Sequence, residues 1–218
     1  MNGAFSICGD GSFVLLTKMA GDRANIWRVD LTGRNVQQLT KGEMDVSADC
    51  SPHDDSMIYT SKSPKGLGIV TMPIGGGSPK TLLDAPLIVG KYSPDGKQIG
   101  VWDAEGESRS MQKAKLAVID TASGQVTRSF DVPPVGSTPD NSAGWSLRWT
   151  ANGHALTYAL RTGTTVNLWK QSVSGGQPRQ ITHFPDSVIA YAWSPDGKHF
   201  AVARRTSSRD VVLFSNFH

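Results

Sequence analysis

A short turn phrase recurs along the chain at nearly constant spacing. In its fullest form it reads aromatic-Ser-Pro-Asp-Gly-Lys, at residues 92–97 and 193–198. Looser copies bring the number to five, and the glycine slot of the phrase is filled in turn by Gly11, Asp54, Gly96, Gly153 and Gly197. Successive slots are 43, 42, 57 and 44 residues apart. A unit in the low forties is the length of one four-stranded β-propeller blade.

A second phrase follows each turn and completes the repeating unit. It starts NIWRVDLTG in the first unit and NLWKQSVSGG in the fourth. The apolar runs are short, rich in β-branched and aromatic residues, and bounded by turn residues, as strands require. No stretch keeps a helical spacing of apolar residues over a useful length. The sequence therefore predicts an all-β fold: a β-propeller of about five four-stranded blades.

The blades form a single predicted domain over residues 1–218. Their approximate bounds are 4–40, 46–83, 88–130, 145–182 and 189–218. The fifth unit stops after its third strand, so its outer strand is lacking in this chain. Two alternatives stay open: a ring whose last blade is three-stranded, or part of a larger propeller. An unpaired blade edge would favour self-association.

The repeated phrase has a structural explanation as the turn between the first two strands of a blade. Proline presets φ near −65°, aspartate suits the next turn position, and glycine supplies the positive φ that follows. The residues assigned to such turns are Asp10, Gly11, Pro94, Asp95, Gly96, Gly153, Pro195, Asp196 and Gly197. Because the phrase recurs in degenerate copies, we expect its aspartates to shape turns rather than to perform catalysis.

These phrases resemble the TolB-type, WD-like β-propeller repeat family. The resemblance rests on aromatic-S-P-D-G-K, on the N-[IL]-W and D-x-x-G segments, and on fourth strands that end in L-T or I-T. It implies the propeller fold over essentially the whole chain. The ending RDVVLFSNFH is similar to the close of propellers that form the C-terminal halves of bacterial winged-helix regulators and Ser/Thr kinases. A family fold hosts many functions, so the resemblance supports function less than fold.

The connections between the second and third strands are predicted to be loops that share one face with the links between blades. We name this the loop face; its predicted loops are Thr17–Ala24, Ser61–Leu67, Asp103–Ala114, Leu160–Val166 and Ala203–Arg209. The five loops contain ten Lys and Arg against four acids, whereas the whole chain has a net charge of +3. A protein or peptide partner, or a small anionic ligand, is therefore expected at this face. The candidate binding residues are Trp102, Arg109, Lys113, Trp145, Arg161, Arg204, Arg205 and Arg209.

Other features indicate structure more than chemistry. Large residues in matching slots, such as Trp27 and Trp169, are typical of packing between blades. Trp102 and Trp145 lie near two insertions and offer an alternative role as a stacking surface. Cys8 and Cys50 are expected to be buried free thiols rather than a bridge. No metal site and no cofactor is predicted, and no hydrolase, zinc or phosphate-loop motif occurs in the sequence.

The sequence thus favours a non-catalytic interaction or sensory module from a larger regulatory protein. The alternative is the propeller of an enzyme, either the gating propeller of a prolyl-oligopeptidase-type peptidase or a glycan-active propeller. The overall charge is too weak to indicate nucleic-acid binding. No apolar run reaches the roughly 18–20 residues that a membrane span needs, and the first residues do not resemble a secretory signal. The sequence leaves the compartment unknown.

Overall fold

The computed structural model describes residues 5–8, 11–103, 115–133, 137–139, 146–194 and 196–206. For residues 137–139 only the backbone is considered. The described residues form nineteen strands in five antiparallel sheets that follow one another as propeller blades, and they contain no helix. The prediction of an all-β propeller is confirmed. In the part of the chain that is described, nothing has the length and apolar character of a membrane-spanning helix.

The strands follow the repeats of the sequence, one sheet for each repeat. Blade 1 contains β1 (Phe5–Cys8), β2 (Phe13–Ala20), β3 (Arg23–Asp30) and β4 (Val36–Gln38). Blade 2 contains β5 (Asp45–Cys50), β6 (Ser56–Ser63), β7 (Gly66–Pro73) and β8 (Lys80–Leu83). Blade 3 contains β9 (Leu87–Tyr92), β10 (Gln98–Asp103), β11 (Lys115–Asp120) and β12 (Val126–Asp131). Blade 4 contains β13 (Ser137–Pro139), β14 (Leu147–Trp149), β15 (Ala155–Thr162), β16 (Thr165–Ser172) and β17 (Arg179–Gln180), and blade 5 contains β18 (Ser187–Trp193) and β19 (Phe200–Arg205).

Each of the first three blades is a simple meander in which consecutive strands pair. Blade 4 differs because the long link that precedes it contributes an extra strand. This strand, β13, pairs with Leu160–Thr162 of β15, while β14 pairs with Leu156–Tyr158 of the same strand. The two short strands thus follow each other along one edge of β15. The insertion that lengthens the repeat spacing extends this inner edge of the blade.

Among the described residues the core consists of four apolar clusters, one between each pair of successive blades. Alternation along the second strand of each blade explains this arrangement, because successive side chains point to opposite faces of a sheet. In β6, Met57 and Tyr59 pack against Leu15 and Ile26 of blade 1, whereas Ile58 packs toward blade 3. The corresponding clusters join blades 3 and 4 and blades 4 and 5. Each blade therefore has one face toward the preceding blade and one toward the following blade.

The two ends of the array each present an uncovered sheet face. On blade 1, Phe5 and Ile7 are 64% and 62% exposed. The strand register places Val14, Leu16 and Trp27 on the same face. On blade 5, the face away from blade 4 consists mainly of small exposed residues, namely Ala190, Ala192, Ala201 and Ala203. The described strands of blades 1 and 5 do not pack on each other.

The interpretation of three polar stretches as loops is wrong. In blades 1, 2 and 4 the second and third strands continue through these stretches to two-residue turns at 21–22, 64–65 and 163–164. Gly21 and Gly163 take φ values of 64° and 61°, which suits such tight hairpins. Polar side chains are tolerated here because the ends of these hairpins are exposed. The connection of blade 3 at 104–114 lies outside the described residues.

The expectation of two free thiols is also wrong. Cys8 ends the inner strand of blade 1 and Cys50 ends that of blade 2, and the structure joins them in a disulfide. Their Cα atoms are 5.4 Å apart, within the range that a disulfide spans. The two cysteines are offset by one slot in the sequence alignment of the repeats. Packing of the adjacent inner strands nevertheless brings them together.

The Asn and Thr of the second phrase fasten one blade to the link that follows it. In blade 4, the Thr182 hydroxyl accepts a hydrogen bond from the Leu168 amide at 2.9 Å and donates one to Asn167. Asn167 also accepts a hydrogen bond from the Phe184 amide at 2.9 Å. In blade 1 the Ile26 amide donates to Thr40 in the same way. The N-[IL]-W and L-T signatures are thus explained by blade construction.

Candidate functional site

The aspartate of the repeated turn serves as a cap for backbone groups. In blade 3, Asp95 accepts hydrogen bonds from the Ser93 hydroxyl at 2.6 Å and from the Lys97 amide at 3.1 Å. Gly96 follows with a φ of 66°. The Ser93 hydroxyl, together with the Lys97 amide, lowers the pKa of Asp95 below its ordinary value. The carboxylate is therefore held ionised by the turn, which is unsuited to proton transfer near neutral pH.

The same arrangement recurs in the next two blades. Asn152 accepts hydrogen bonds from Thr150 and from the His154 amide in blade 4. Asp196 accepts them from Ser194 and from the Lys198 amide in blade 5. Gly153 and Gly197 take φ values of 69° and 67°, and Gly11 of blade 1 takes 85°. Asp10 and Pro195 lie outside the described residues.

Three of the arginines assigned to the loop face lie on strands. Arg161 belongs to β15, and Arg204 and Arg205 belong to β19. The Arg204 guanidinium forms a salt bridge with Asp186 at 3.2 Å and lies 4.4 Å from the centre of the Phe184 ring. Arg109, Lys113, Trp145 and Arg209 lie outside the described residues. Binding at the loop face stays a prediction.

Trp102 does not offer a stacking surface. It lies in β10, is 1% exposed and meets Tyr158 of blade 4 edge-to-face, with ring centres 5.5 Å apart. Its indole nitrogen and the Tyr158 hydroxyl are buried without a hydrogen-bond partner. Burial raises the pKa of Tyr158 above its ordinary range. The proximity of Trp102 to an insertion in the sequence suggested a surface role, but the strand directs the ring into the seam between two blades.

Acids from the links between blades reduce the positive charge of the loop face. Glu43, in the link before blade 2, forms a salt bridge with Lys62, and Asp186 pairs with Arg204. The Lys62 ammonium lowers the pKa of Glu43, which is consistent with this pairing. A charge count restricted to the second-to-third-strand connections omits these acids. The described part of the loop face is therefore less basic than that count indicates.

Two adjoining cavities open at the opposite face, which we name the turn face because the repeated turns form it. The larger cavity has a volume of about 710 Å³. Its polar lining comes from three successive blades and consists of His53, Asp95, Lys97, Gln98, Asp120, Asn152 and His154. Asp120 accepts hydrogen bonds from the amide and hydroxyl of Ser123, which lower its pKa. The two carboxylates that line this cavity are therefore both occupied by turn contacts.

The smaller cavity, of about 270 Å³, adjoins the larger one at Pro94 and Ala151. Its other lining residues are Arg148, Trp149, Ala192, Trp193 and Ser194. We name this the Arg148 pocket. It lies between blades 4 and 5 where the inner strands meet the turns, and it was not found from the sequence. One feature of the sequence could have indicated this pocket, namely the position of Arg148 in the repeat.

The side chains at that position of the repeat contact one another along the inner strands of blades 1 to 3. The residues five places before the glycine slot are Ser6, Asp49, Lys91, Arg148 and Ala192. The Ser6 hydroxyl donates to Asp49 at 3.0 Å, and the Lys91 ammonium forms a salt bridge with the same carboxylate at 2.8 Å. Asp49 also accepts a hydrogen bond from the Tyr92 amide at 2.9 Å. Each charge in the first part of this series thus has a partner.

The series of paired charges ends at Arg148. Its guanidinium donates one hydrogen bond, to the Leu147 carbonyl at 3.1 Å, and among the described residues no carboxylate lies within salt-bridge distance of it. The residue at the equivalent position of the next blade is Ala192, which has no side-chain acceptor. A guanidinium has five N–H donors. Arg148 therefore has donors available to a bound anion.

The described residues contain no group of three His, Cys, Asp or Glu side chains placed to hold a metal ion. The scattered histidines His53, His154, His183 and His199 are all in the described part of the chain, and His53 and His154 line the larger cavity together. The described part of the turn face has a concave polar surface, the Arg148 cation and two indole rings. Such an arrangement is suited to binding.

Fold and site together define a β-propeller with a concave turn face. Solved structures similar to it include TolB from Acinetobacter baumannii, with 26% identity and a TM-score of 0.64 over 82% of this chain and 45% of that one. A putative TolB from Agrobacterium tumefaciens has 18% identity and a TM-score of 0.74 over 93% of this chain and 69% of that one. These neighbours support a TolB-type propeller. No family model matches the chain.

Peptidases are also among the similar proteins. The uncharacterized peptidase YuxL of Bacillus subtilis is 25% identical over 117 residues, which are 51% of this chain and 16% of YuxL. An acylaminoacyl peptidase of Pyrococcus horikoshii has 14% identity and a TM-score of 0.56 over 91% of this chain and 34% of that one. The chain thus spans less than half of the Acinetobacter TolB and about a sixth of YuxL.

Proposed function

We propose that this chain is a non-catalytic binding module that takes a protein, a peptide or a small anionic ligand at its turn face. One observation carries the proposal: the two cavities adjoin on this face and draw their lining from blades 2 to 5. A rigid propeller that presents turns from several blades to one cavity is typical of ligand sites, which are concave and largely preformed. The TolB-like neighbours support the propeller fold on which the proposal rests.

The state of the carboxylates supports a binding role over a catalytic one. Asp95 and Asp120 line the larger cavity, and hydrogen bonds from their own turns lower the pKa of both. A general acid would need a raised pKa, and a pair of catalytic carboxylates would need different environments. Attachment of the module to a regulatory effector domain, which the sequence resemblance implies, stays a prediction.

The proposal is tested by mapping where small probes bind. Amide NMR spectra of the ¹⁵N-labelled protein are recorded with acetate, acetamide and a neutral dipeptide amide. We expect shift changes to cluster at the turns that contain Asp95, Asn152 and Asp196. Shift changes confined to Arg161, Arg204 and Arg205 would place binding at the loop face instead and would contradict the proposal, as would spectra that do not change.

A second candidate is the propeller of a peptidase, and the similarity to YuxL and to the acylaminoacyl peptidase favours it. In that case this chain would be one domain of a longer polypeptide that also contains a hydrolase domain. The test is the reading frame around the gene segment, followed by assay of the full polypeptide on aminoacyl p-nitroanilides. Hydrolysis by the full polypeptide but not by residues 1–218 would support this candidate.

A further inference from the structure

The Arg148 pocket combines a cation with two aromatic walls. Arg148 and Trp149 are neighbours on β14, and Trp193 ends β18 of the next blade. All three line the same cavity of about 270 Å³. Pro94 and Ala151 complete an apolar rim. A ligand that fits this lining would carry an anionic group next to an apolar or aromatic group.

Both indole N–H groups are used inside the protein, so the rings contribute carbon surface rather than donors. Trp149 is 7% exposed and presents only an edge of its ring, whereas Trp193 is partly exposed. Trp149 donates to the Lys91 carbonyl at 2.8 Å, and Trp193 donates to the Thr157 hydroxyl at 3.2 Å. Trp193 also packs on Phe200, with ring centres 4.6 Å apart. These contacts fix both indoles before any ligand arrives. A preorganised site loses less conformational entropy on binding.

Contacts of the backbone hold Arg148 in place as well. The Thr157 hydroxyl that accepts from Trp193 also donates to the Arg148 carbonyl at 3.2 Å. The buried Tyr191 hydroxyl lies 2.6 Å from the Thr157 carbonyl oxygen. Burial raises the pKa of Tyr191, and the nearby charge of Arg148 acts in the opposite direction. The backbone of Arg148 is therefore held by a network of hydrogen bonds, and its guanidinium is hydrogen-bonded to the Leu147 carbonyl.

A comparison of equivalent positions in the repeats explains why we expect a bound ligand to supply the anion that pairs with Arg148. At the equivalent positions of blades 2 and 3, Asp49 and Lys91 neutralise each other. The neighbours of Arg148 in this series are Lys91 of blade 3, which is already paired with Asp49, and Ala192 of blade 5, which has no side-chain acceptor. Arg148 thus has the position of a paired charge but no acid partner among the described residues. A carboxylate bound in the pocket would supply the acid partner that Arg148 lacks among the described residues.

We propose that the Arg148 pocket binds the C-terminal carboxylate of a peptide that ends in an aromatic residue, with Arg148 pairing the carboxylate, and with Trp193 and the exposed edge of Trp149 contacting the ring. The guanidinium fork matches a carboxylate in a bidentate manner. Offset or edge-to-face contact with indoles favours an aromatic side chain over an aliphatic one. This inference rests on the proposed binding function and specifies its ligand.

The test compares two forms of one peptide, acetyl-Ala-Ala-Phe with a free carboxylate and with a C-terminal amide. Binding is measured by titration calorimetry and by the NMR signals of the Trp149 and Trp193 indole N–H groups. We expect the free acid to bind at least about tenfold more tightly than the amide, since the charge-assisted pair is lost in the amide. The two indole signals should shift with the acid.

Variants assign the effect to Arg148. Arg148→Ala should weaken binding of the acid about tenfold or more, and Arg148→Lys should lie between the two because it keeps the charge but not the fork. Arg28→Ala is the matched control, since Arg28 lies over Phe13 in blade 1. Circular dichroism checks that each variant is folded.

The outcomes distinguish failure of the inference about the Arg148 pocket from failure of the proposed binding function. Equal affinity for acid and amide, or full affinity in Arg148→Ala, would overturn the inference. If the peptide then still shifts amides at the turns of blades 3 and 4, the binding function survives without the Arg148 pocket. If neither form of the peptide shifts any turn-face amide, and the small probes also fail, the inference and the proposed function both fall.

Discussion

At the scale of single residues, the turn aspartates show how one side chain can be required by the fold without a role in chemistry. Asp95 joins Ser93 and the Lys97 amide, and blade 4 makes the same contacts with Asn152. The amide oxygen of asparagine thus serves the turn as well as a carboxylate does. The contact requires an acceptor at this position, and the negative charge is secondary.

This difference predicts opposite results for two substitutions of Asp95. Asp95→Ala removes the acceptor and should lower the free energy of unfolding by about 1 kcal/mol, the usual worth of a hydrogen bond. Asp95→Asn keeps the acceptor and should change stability little at pH 7. Urea unfolding followed by circular dichroism measures both. Equal loss in the two variants would show that the charge is what matters.

The pH dependence of stability provides a control for the same pair. The pKa of Asp95 is lowered in the folded state, so its contribution is complete above the unfolded value near 4 and is lost as the pH falls below it. Asp95→Asn should therefore lose less stability than the original protein between about pH 4 and pH 2. An identical decline in both would contradict the assignment.

At the scale of the strand, a bulge recurs in the inner strands and is supported by the preceding blade. Ser47 and Val89 take φ values of 58° and 57°, which is unfavourable for valine. The Val89 amide donates to the Thr60 hydroxyl of blade 2 at 3.2 Å, and the Ser47 amide donates to Thr17 of blade 1. The strained residue is therefore part of the contact between blades.

Removal of the supporting hydroxyl should destabilise the protein. Thr60 is fully buried, so Thr60→Val keeps its volume but leaves the Val89 amide without an acceptor, at a cost of about 1 to 3 kcal/mol. Thr81→Val, on the exposed outer strand of blade 2, is the matched control and should change stability by less than about 0.5 kcal/mol. Thermal and urea unfolding measure both variants, and equal effects would refute the role assigned to Thr60.

The sequence predicted which segments form strands better than it predicted where the strands end. The repeated turn set the blade length and the alternation of faces, because both depend on local residue types. The course of β15 through Arg161 was missed, because a polar exposed hairpin and a polar loop have the same composition. The burial of Trp102 and the Arg148 pocket depend on contacts between blades, which the order of residues within one blade does not specify.

At the scale of the whole molecule, the disulfide links the first two blades. Cys8 and Cys50 are 42 positions apart, so their bond closes a long loop in the unfolded chain. Cys8→Ser combined with Cys50→Ser should lower the free energy of unfolding by about 2 to 4 kcal/mol. Urea unfolding with and without reductant measures the effect, and thiol titration of the denatured protein should find no free thiol before reduction. Two free thiols would contradict the pairing.

The uncovered face of blade 1 carries the last prediction. In every seam between described blades such a face is covered by the preceding blade, whereas no sheet of the described residues covers Phe5, Ile7 and Leu16. Apolar patches of this kind favour association, so we expect the mass of the isolated chain to rise with concentration in analytical ultracentrifugation. Leu16→Glu should restore the monomer mass, whereas Leu31→Glu, in an exposed turn, should not. A monomer at all concentrations in the original protein would show that this face does not drive association of the isolated chain.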